Sequence, residues 1–406
     1  MKDYIINDIK MEILMDLQMD YADLCMMVLE KFGDDPNIPL SARMLLEYAE
    51  VRLAKIGMNL EKSPLASGKT VGWDALFETS AAKILAVREE RTGETVGIIW
   101  PFHPAAAWMC ARKKAETAGE VTAAADALIK EGHRDRDGLF DNPVHPGQLS
   151  TEILAMTVPF LAWAGKISGE KRYFDEAVRQ FKGYAARLYD PAARLWHPGY
   201  LTAEAAAAVT FRPTDQSILS PVLSLPEPGV LAGCWGRGEG YALFALSELI
   251  FELPEGPEKE ELIRMRVDML DSLLPLQDPN GMWHQVLNDW GSYPETSGTA
   301  WILYAVGRGL KKGTVDREKF LPPYLCGLAG MARYLAYDGS IFNGSVTCIC
   351  PGGRGTAVDF AFAKWLKDEP HTVAPVLLSL QQAVQNECAK GLIPSLSEVL
   401  NQFTGE

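Results

Sequence analysis

The residues best placed to do chemistry are acids at the starts of apolar helical segments. Glu152 opens the run HPGQLSTEILAMTVPFLAWAG at 145–165, and Arg237 and Glu239 lie in CWGRGEGYALFALSELIFELP at 234–254. Glu295 precedes Thr296-Ser297 in GMWHQVLNDWGSYPETSGTAWILYAVGRG at 281–309, and Asp74 sits in GWDALFETSAAKIL at 72–85. An acid in a first helical turn complements the helix dipole, which accounts for each position structurally. The same position aims a proton donor or acceptor at whatever the helix starts surround. Two acids flanking one bond are the usual requirement for hydrolysing a glycoside. Different surroundings then split their pKa values into one acid and one base or nucleophile. Arg237 reads either as a local ion pair or cap or as a bidentate anchor for a ligand carboxylate. Gly236, Gly238 and Gly240 permit close backbone approach. Their G-x-G-x-G spacing, with no strand before it, is not a dinucleotide fingerprint.

These residues need elements to hold them. Helical periodicity dominates, with apolar residues recurring at three and four. The spacing predicts helices near 8–31, 40–57, 74–91, 103–116, 119–131, 148–166, 171–188, 237–253, 257–276, 296–311, 316–336 and 371–390, and a weaker one at 355–367. Four turns form a degenerate internal repeat: Asp137-Gly138-Leu139-Phe140, Asp190 to Leu195-Trp196-His197, Asp278 to Gly281-Met282-Trp283-His284, and Asp338-Gly339-Ser340-Ile341-Phe342. Repeated helical hairpins make an open solenoid or a closed ring. The period here is longer and less even than a solenoid's 34–47 residues. About twelve helices in six hairpins instead predict an all-α, closed (α/α)6 barrel with short β pieces in its loops, one domain over 1–406. In such a ring the helix starts meet at one mouth, where free N–H groups and partial positive charge suit hydroxyl-rich or anionic ligands. The aromatic residues after the turns are expected to line that mouth as sugar-stacking surfaces.

Composition narrows the partners. The chain has 406 residues, 48% hydrophobic and 23% charged, enough for a large core. A net charge of −14 without any basic cluster makes nucleic acid a poor partner. No apolar stretch of membrane length is present. The acidic start MKDYIINDIKMEILMDLQMDYADL lacks a secretory signal pattern, so a cytoplasmic location is expected. Seven cysteines at irregular spacing argue against a disulfide framework. Cys348 and Cys350 lack the companions of a zinc site, so no metal and no cofactor are expected.

Over about 137–353 the chain resembles the unsaturated glucuronyl and rhamnogalacturonyl hydrolases, glycoside hydrolase families 88 and 105. The resemblance rests on Glu152-Ile153-Leu154-Ala155-Met156-Thr157-Val158-Pro159-Phe160-Leu161, on Trp196-His197-Pro198-Gly199-Tyr200-Leu201, on Trp235 to Tyr241, and on Glu295-Thr296-Ser297. It implies an (α/α)6 barrel and hydration of a C4–C5 double bond in a uronic acid. It also implies departures. The family's proton-donating aspartate falls at Leu201, a second active-site aspartate at Glu152, and the asparagine of its W-G-R-G-N-G-W motif at Glu239. The expected function is therefore hydrolysis of uronic-acid-containing oligosaccharides. Glu152 and Glu239 are its carboxylate pair. Arg237 is its anchor, and Trp235, Tyr241, Trp196, His197, Tyr200, Trp283, His284, Glu295 and Asp74 surround the substrate. Asp215 and Asp74 are reserve acids. An inactive carbohydrate-binding barrel is the alternative, favoured by Leu201. A sugar epimerase or isomerase using His197 and His284 ranks below both. The sequence leaves a homo-oligomer open.

Overall fold

In a computed structural model, the described residues are 21–56, 118–208 apart from 144, 228–346 apart from 337, and 360–386. Their helices are α1 (Tyr21–Phe32), α2 (Leu40–Ile56), α3 (Ala118–Glu131), α4 (Thr151–Ser168), α5 (Lys171–Leu188), α6 (Ala203–Ala208), α7 (Gly236–Glu252), α8 (Pro257–Leu273), α9 (Thr296–Lys312), α10 (Arg317–Ala332) and α11 (Pro370–Gln385). Short strands occupy the connections: β1 (Gln148–Ser150), β2 (Tyr189–Asp190), β3 (Leu195–Trp196), β4 (Gly199–Leu201), β5 (Gly229–Val230), β6 (Gly344–Ser345) and β7 (Trp365–Leu366).

Two kinds of helix follow from two kinds of sequence. Helices α4, α7 and α9 are buried on nearly every side, as apolar-all-round segments must be. Helix α5 buries one stripe, with Tyr173, Phe174, Ala177, Val178, Phe181, Tyr184 and Leu188 inward at spacings of three and four. The first kind forms an inner ring. Helix α7 packs between α4 and α9, α9 packs on α11, and α11 packs on α2. The second kind lies outside, α5 against α4 and α8 against α7. This is the (α/α)6 arrangement predicted from the hairpins.

Small residues let the inner helices approach. A Cβ on Gly298 would stand 2.5 Å from the carbonyl carbon of Gly236, and one on Gly240 would stand 2.4 Å from the Trp301 side chain. The starts of α7 and α9 therefore touch backbone to backbone. The far end of the ring is held differently. Glu248 there accepts from Tyr48 at 2.8 Å and from Tyr304, and it pairs with Arg308 at 3.3 Å and Arg52 at 3.4 Å. Eleven residues separate Arg237 from Glu248, about 16 Å along a helix, so this cluster is remote from the helix starts.

The repeated turns share one construction. The carboxylates of Asp135, Asp278 and Asp338 each accept backbone N–H groups two residues on, and Gly138, Gly281 and Gly339 follow at φ of 79°, 92° and 77°. The fourth turn runs from Asp190 with Arg194 at φ 55° and closes through the β2–β3 pair. Strands β1, β4 and β5 form a small antiparallel sheet in which Leu201 lies opposite Gln148 and Gly229.

Three expectations change. Residues 148–150 are strand and the helix begins at Thr151, because Ser150 caps it by accepting from Ile153 N–H at 3.3 Å. The weak helix predicted at 355–367 ends earlier than expected: in its described part residues 360–361 are helical, and Trp365–Leu366 pairs with β6 as a strand. Three of the aromatic residues after the turns pack inward, Phe140 and Trp196 fully buried and Trp283 nearly so, while Phe342 is half-buried. The predicted helices 74–91 and 103–116, with Asp74, lie outside the described residues, as do Asp215, Cys348 and Cys350.

Candidate active site at the inner-helix starts

Helices α4, α7, α9 and α11 bring their first turns together. Ser150 and Glu295 cap the free N–H groups of α4 and α9, whereas Trp235 and Glu369 stand at the starts of α7 and α11 without a side-chain cap. At α9 the residue is Glu295. Its carboxylate accepts from Ser297 N–H at 2.8 Å, Gly298 N–H at 2.6 Å and Ser345 N–H at 3.0 Å. It thereby caps α9 and ties β6 to it. Burial raises its pKa, against the opposing pull of Arg237 and the Ser297 and Gly298 bonds.

At α11 the residue is Glu369, and its carboxylate links three groups. Oε2 accepts from Arg237 Nη1 at 2.9 Å and from Thr372 Oγ1 at 2.9 Å, while Oε1 meets His371 Nδ1 at 2.8 Å. Burial opposes its ionised form, but Arg237 and the bonds from His371 and Thr372 outweigh it and hold the carboxyl at about 2. Burial equally opposes charge on Arg237, and Glu369, Tyr241, Glu295 and Glu152 overcome it. The guanidinium also lies 4.9 Å over the Trp235 ring. For His371 burial again works against charge, and the bond and charge of Glu369 prevail, with Glu152 adding to them and Arg237 opposing. The result is a pKa above the ordinary histidine value. Tyr293 lies in the field of Glu295, Arg237 and Glu369, and its phenol bonds Lys364 O at 3.4 Å.

Glu152 is the half-buried acid of this group, in the first turn of α4. Its charge is felt by both Arg237 and His371. Glu239 is placed otherwise. Residues two apart on a helix differ by about 200°, so Glu239 leaves α7 on the side away from Arg237. It is fully buried, and its Oε2 accepts from Trp196 N–H at 2.7 Å. Its Oε1 has no partner among the described residues, and burial raises the carboxyl to about 8. Its charge reaches Tyr189 and Cys234. The geometry thus joins Glu152 to Arg237 and places Glu239 under the 196–198 turn.

The other expected site residues divide in the same way. Trp235 stands just before α7; its Nε1 donates to Ser345 Oγ at 3.3 Å, and its ring packs on Tyr241 and Phe360. Trp196 packs on Phe181 and Tyr189. Trp283 donates from Nε1 to Leu273 O at 2.8 Å. His284 bonds Ser292 O through Nδ1 at 2.6 Å and faces Asp278 at 3.4 Å through Nε2, which fixes the 285–293 loop. Tyr200 is half-buried under Arg187, 4.7 Å from its ring. His197 is half-buried, and its Nδ1 has no partner among the described residues. Leu201 is buried in a small apolar cluster with Ala205, Ala206 and Leu231. Glu369 and His371 were not singled out in the sequence. Their signal was the Glu369-Pro370-His371-Thr372 start of a helix already expected.

The model of Glycosyl Hydrolase Family 88 matches residues 94–384, more than half of the chain. The chain belongs to Glycosyl Hydrolase Family 88. The resemblance drawn from its motifs is borne out at that level. This family 88 chain is 27% identical over 219 residues to the unsaturated rhamnogalacturonyl hydrolase YesR of Bacillus subtilis (strain 168), covering 52% of this chain and 56% of that protein. It is 30% identical over 110 residues to an unsaturated 3S-rhamnoglycuronyl hydrolase of Alteromonas sp. (strain LOR), covering 26% and 27%. These matches span about half or less of those relatives' lengths. The fold is shared with a possible GH105 member from Salmonella enterica, at TM-score 0.67 and 18% identity over 86% of this chain and 83% of that one. It is shared too with the unsaturated glucuronyl hydrolase of Bacillus sp. GL1, at TM-score 0.61 and 14% identity over 93% and 98%. Among the described residues of this family 88 chain, no helix is long and apolar enough to cross a membrane.

Proposed function

We propose that this family 88 chain is a glycoside hydrolase for oligosaccharides ending in a uronic acid, with the 4,5-unsaturated uronide as the substrate class. The observation that carries this reading is Glu152: a half-buried acid in the first turn of an inner helix, within the field of Arg237 and His371. The names of the relatives YesR and the Alteromonas enzyme support the unsaturated substrate.

A single half-buried acid among the described residues at the mouth suits hydration better than direct displacement, which needs two flanking carboxyl groups. In hydration, Glu152 gives its proton to C4 of the C4–C5 alkene. Positive charge develops at C5, shared with the ring oxygen. Water then adds to C5 and returns a proton to Glu152. The hemiketal so formed opens and releases the aglycone. A single residue serves as acid and then base, and no donor at the Leu201 position enters the scheme. Glu239 in this reading supports the turn carrying Trp196 and His197, through its bond to Trp196 N–H.

Turnover of an unsaturated uronyl disaccharide, followed by loss of alkene absorbance, tests the reading. Loss of that absorbance with wild type and not with Glu152→Gln supports it. No turnover of unsaturated or saturated uronides by wild type would favour the carbohydrate-binding alternative.

A further inference from the structure

The end of the ring opposite the mouth carries a second concentration of buried charge. Phe251 lies in the last turn of α7, Arg308 near the end of α9, and Arg266 on the outer helix α8. Both guanidiniums lie against the Phe251 ring, Arg308 at 4.4 Å and Arg266 at 5.2 Å from its centroid. Arg308 has an acid, Glu248, at 3.3 Å. Among the described residues Arg266 has none, and its charged neighbour is Arg308, of the same sign.

The Arg266 side chain is fully buried. Its Nη2 donates to Thr314 Oγ1 in the loop after α9. Its Nε and Nη1 have no acceptor among the described residues, and neither has Nε of Arg308. The nearby carbonyls at the helix ends are engaged elsewhere. Gly309 O and Leu310 O accept from Gly313 N–H, and Leu249 O accepts from Leu253 N–H. Burial and the Arg308 charge push the Arg266 guanidinium down to about 9, so at neutral pH it remains a cation.

A buried N–H without an acceptor forfeits its bonds to water and gains nothing in return. A buried charge without an opposite one costs more. A neutral acceptor would satisfy the N–H groups and leave two like charges together in a low dielectric. An anion answers both needs. The sealed position sets its kind, because the ion must shed its water to enter. Shedding water costs a monovalent halide far less than a sulfate or a phosphate.

We infer that Arg266, with Arg308 and Thr314 around Phe251, forms a binding site for a small monovalent anion of the halide class at the far end of the ring. The ion pins the outer helix α8 to the ends of α7 and α9. It is independent of the uronide reading of the mouth.

Thermal unfolding of the full chain at constant ionic strength, with potassium methanesulfonate exchanged for potassium chloride or bromide, reads the site. Halide should raise the wild-type Tm saturably, by about 2 °C at about ten times its Kd. Crystals grown in bromide should show an anomalous peak within hydrogen-bonding distance of Arg266 Nε or Nη1. Arg266→Leu replaces the buried charge with an apolar side chain, an exchange that folded proteins tolerate. The variant should lose both the halide shift and the peak. The inference is overturned if wild type melts alike in the two salts, if no bromide lies at Arg266, or if Arg266→Leu keeps the full halide shift. Should Arg266→Leu not fold, the wild-type shift and the bromide map decide, and the site stands only if both are present.

Discussion

Glu369 bridges Arg237 and His371, accepting from the guanidinium at 2.9 Å on one carboxylate oxygen and meeting the imidazole at 2.8 Å on the other. It sits 132 residues from Arg237 in the chain. The bridge pairs the buried arginine on one carboxylate oxygen and holds the half-buried histidine on the other.

Breaking this bridge should be costly. Removing one partner of a buried ion pair leaves the other charge uncompensated, at about 3–5 kcal/mol. Glu369→Ala is expected to lose about that much stability in urea unfolding. Adding Arg237→Met should recover part of the loss, and simple additivity of the two would show that the pair is not coupled. The carboxyl lies at about 2 in the folded protein, below its unfolded value. Its contribution is thus present above the unfolded pKa of roughly 4.3 and is lost as pH falls toward about 2.

Glu239 titrates with the opposite sign. Burial raises it to about 8, so the folded state keeps a proton that the unfolded chain releases at roughly 4.3. Its contribution is full below the unfolded pKa and is lost as pH rises through about 8. Glu239→Gln keeps an oxygen for Trp196 N–H and cannot ionise. The variant should gain on wild type between pH 5.5 and pH 8.5 by about 1 kcal/mol or more, read as the difference in urea midpoints. An unchanged difference across that range would contradict the buried neutral carboxyl.

Glu152 should separate from Glu239 in activity. Loss of a positioned acid–base group typically costs 10²–10⁴-fold in rate. Glu152→Gln is expected to lose kcat in that range with an unaltered far-UV spectrum, because the side chain is half-buried and solvent can solvate the amide. Glu239→Gln should retain kcat within about threefold, far from that 10²–10⁴ range. Equal losses in both would restore the idea of a carboxylate pair.

Gly298 should tolerate no side chain. A Cβ there would come within 2.5 Å of Gly236 C and 2.9 Å of Arg237 N, both backbone atoms. Gly298→Ala must therefore push α9 from α7 and displace Arg237, at about 1–3 kcal/mol. Thermal unfolding and uronide KM should both worsen. Gly119→Ala, where a Cβ meets nothing within 4 Å, is the control and should leave both unchanged.

Much of this protein could be read locally. The inner helices announce themselves by being apolar on every side, and the turns by an aspartate followed by a left-handed glycine, as at Asp278 and Gly281. Those signals depend on neighbours within four residues, which is why the hairpins, the ring and the family resemblance were visible. Glu152 stood out for the same reason, as an acid opening an apolar helix.

The roles of the remaining polar residues depended on direction and distance across the ring. A step of 100° per residue puts Arg237 at the mouth and Glu239 beneath Trp196, although the motif presents them side by side. The turn aromatics Trp196 and Trp283 fill space between helices, since a ring of helices leaves gaps that only large side chains close. Glu369 and His371 looked like an ordinary helix start. The sequence by itself determined most of the long helices among the described residues and their starts to within a few residues. Only the tertiary structure decided which of those beginnings face one another, because a charge acquires its role from partners that folding brings close.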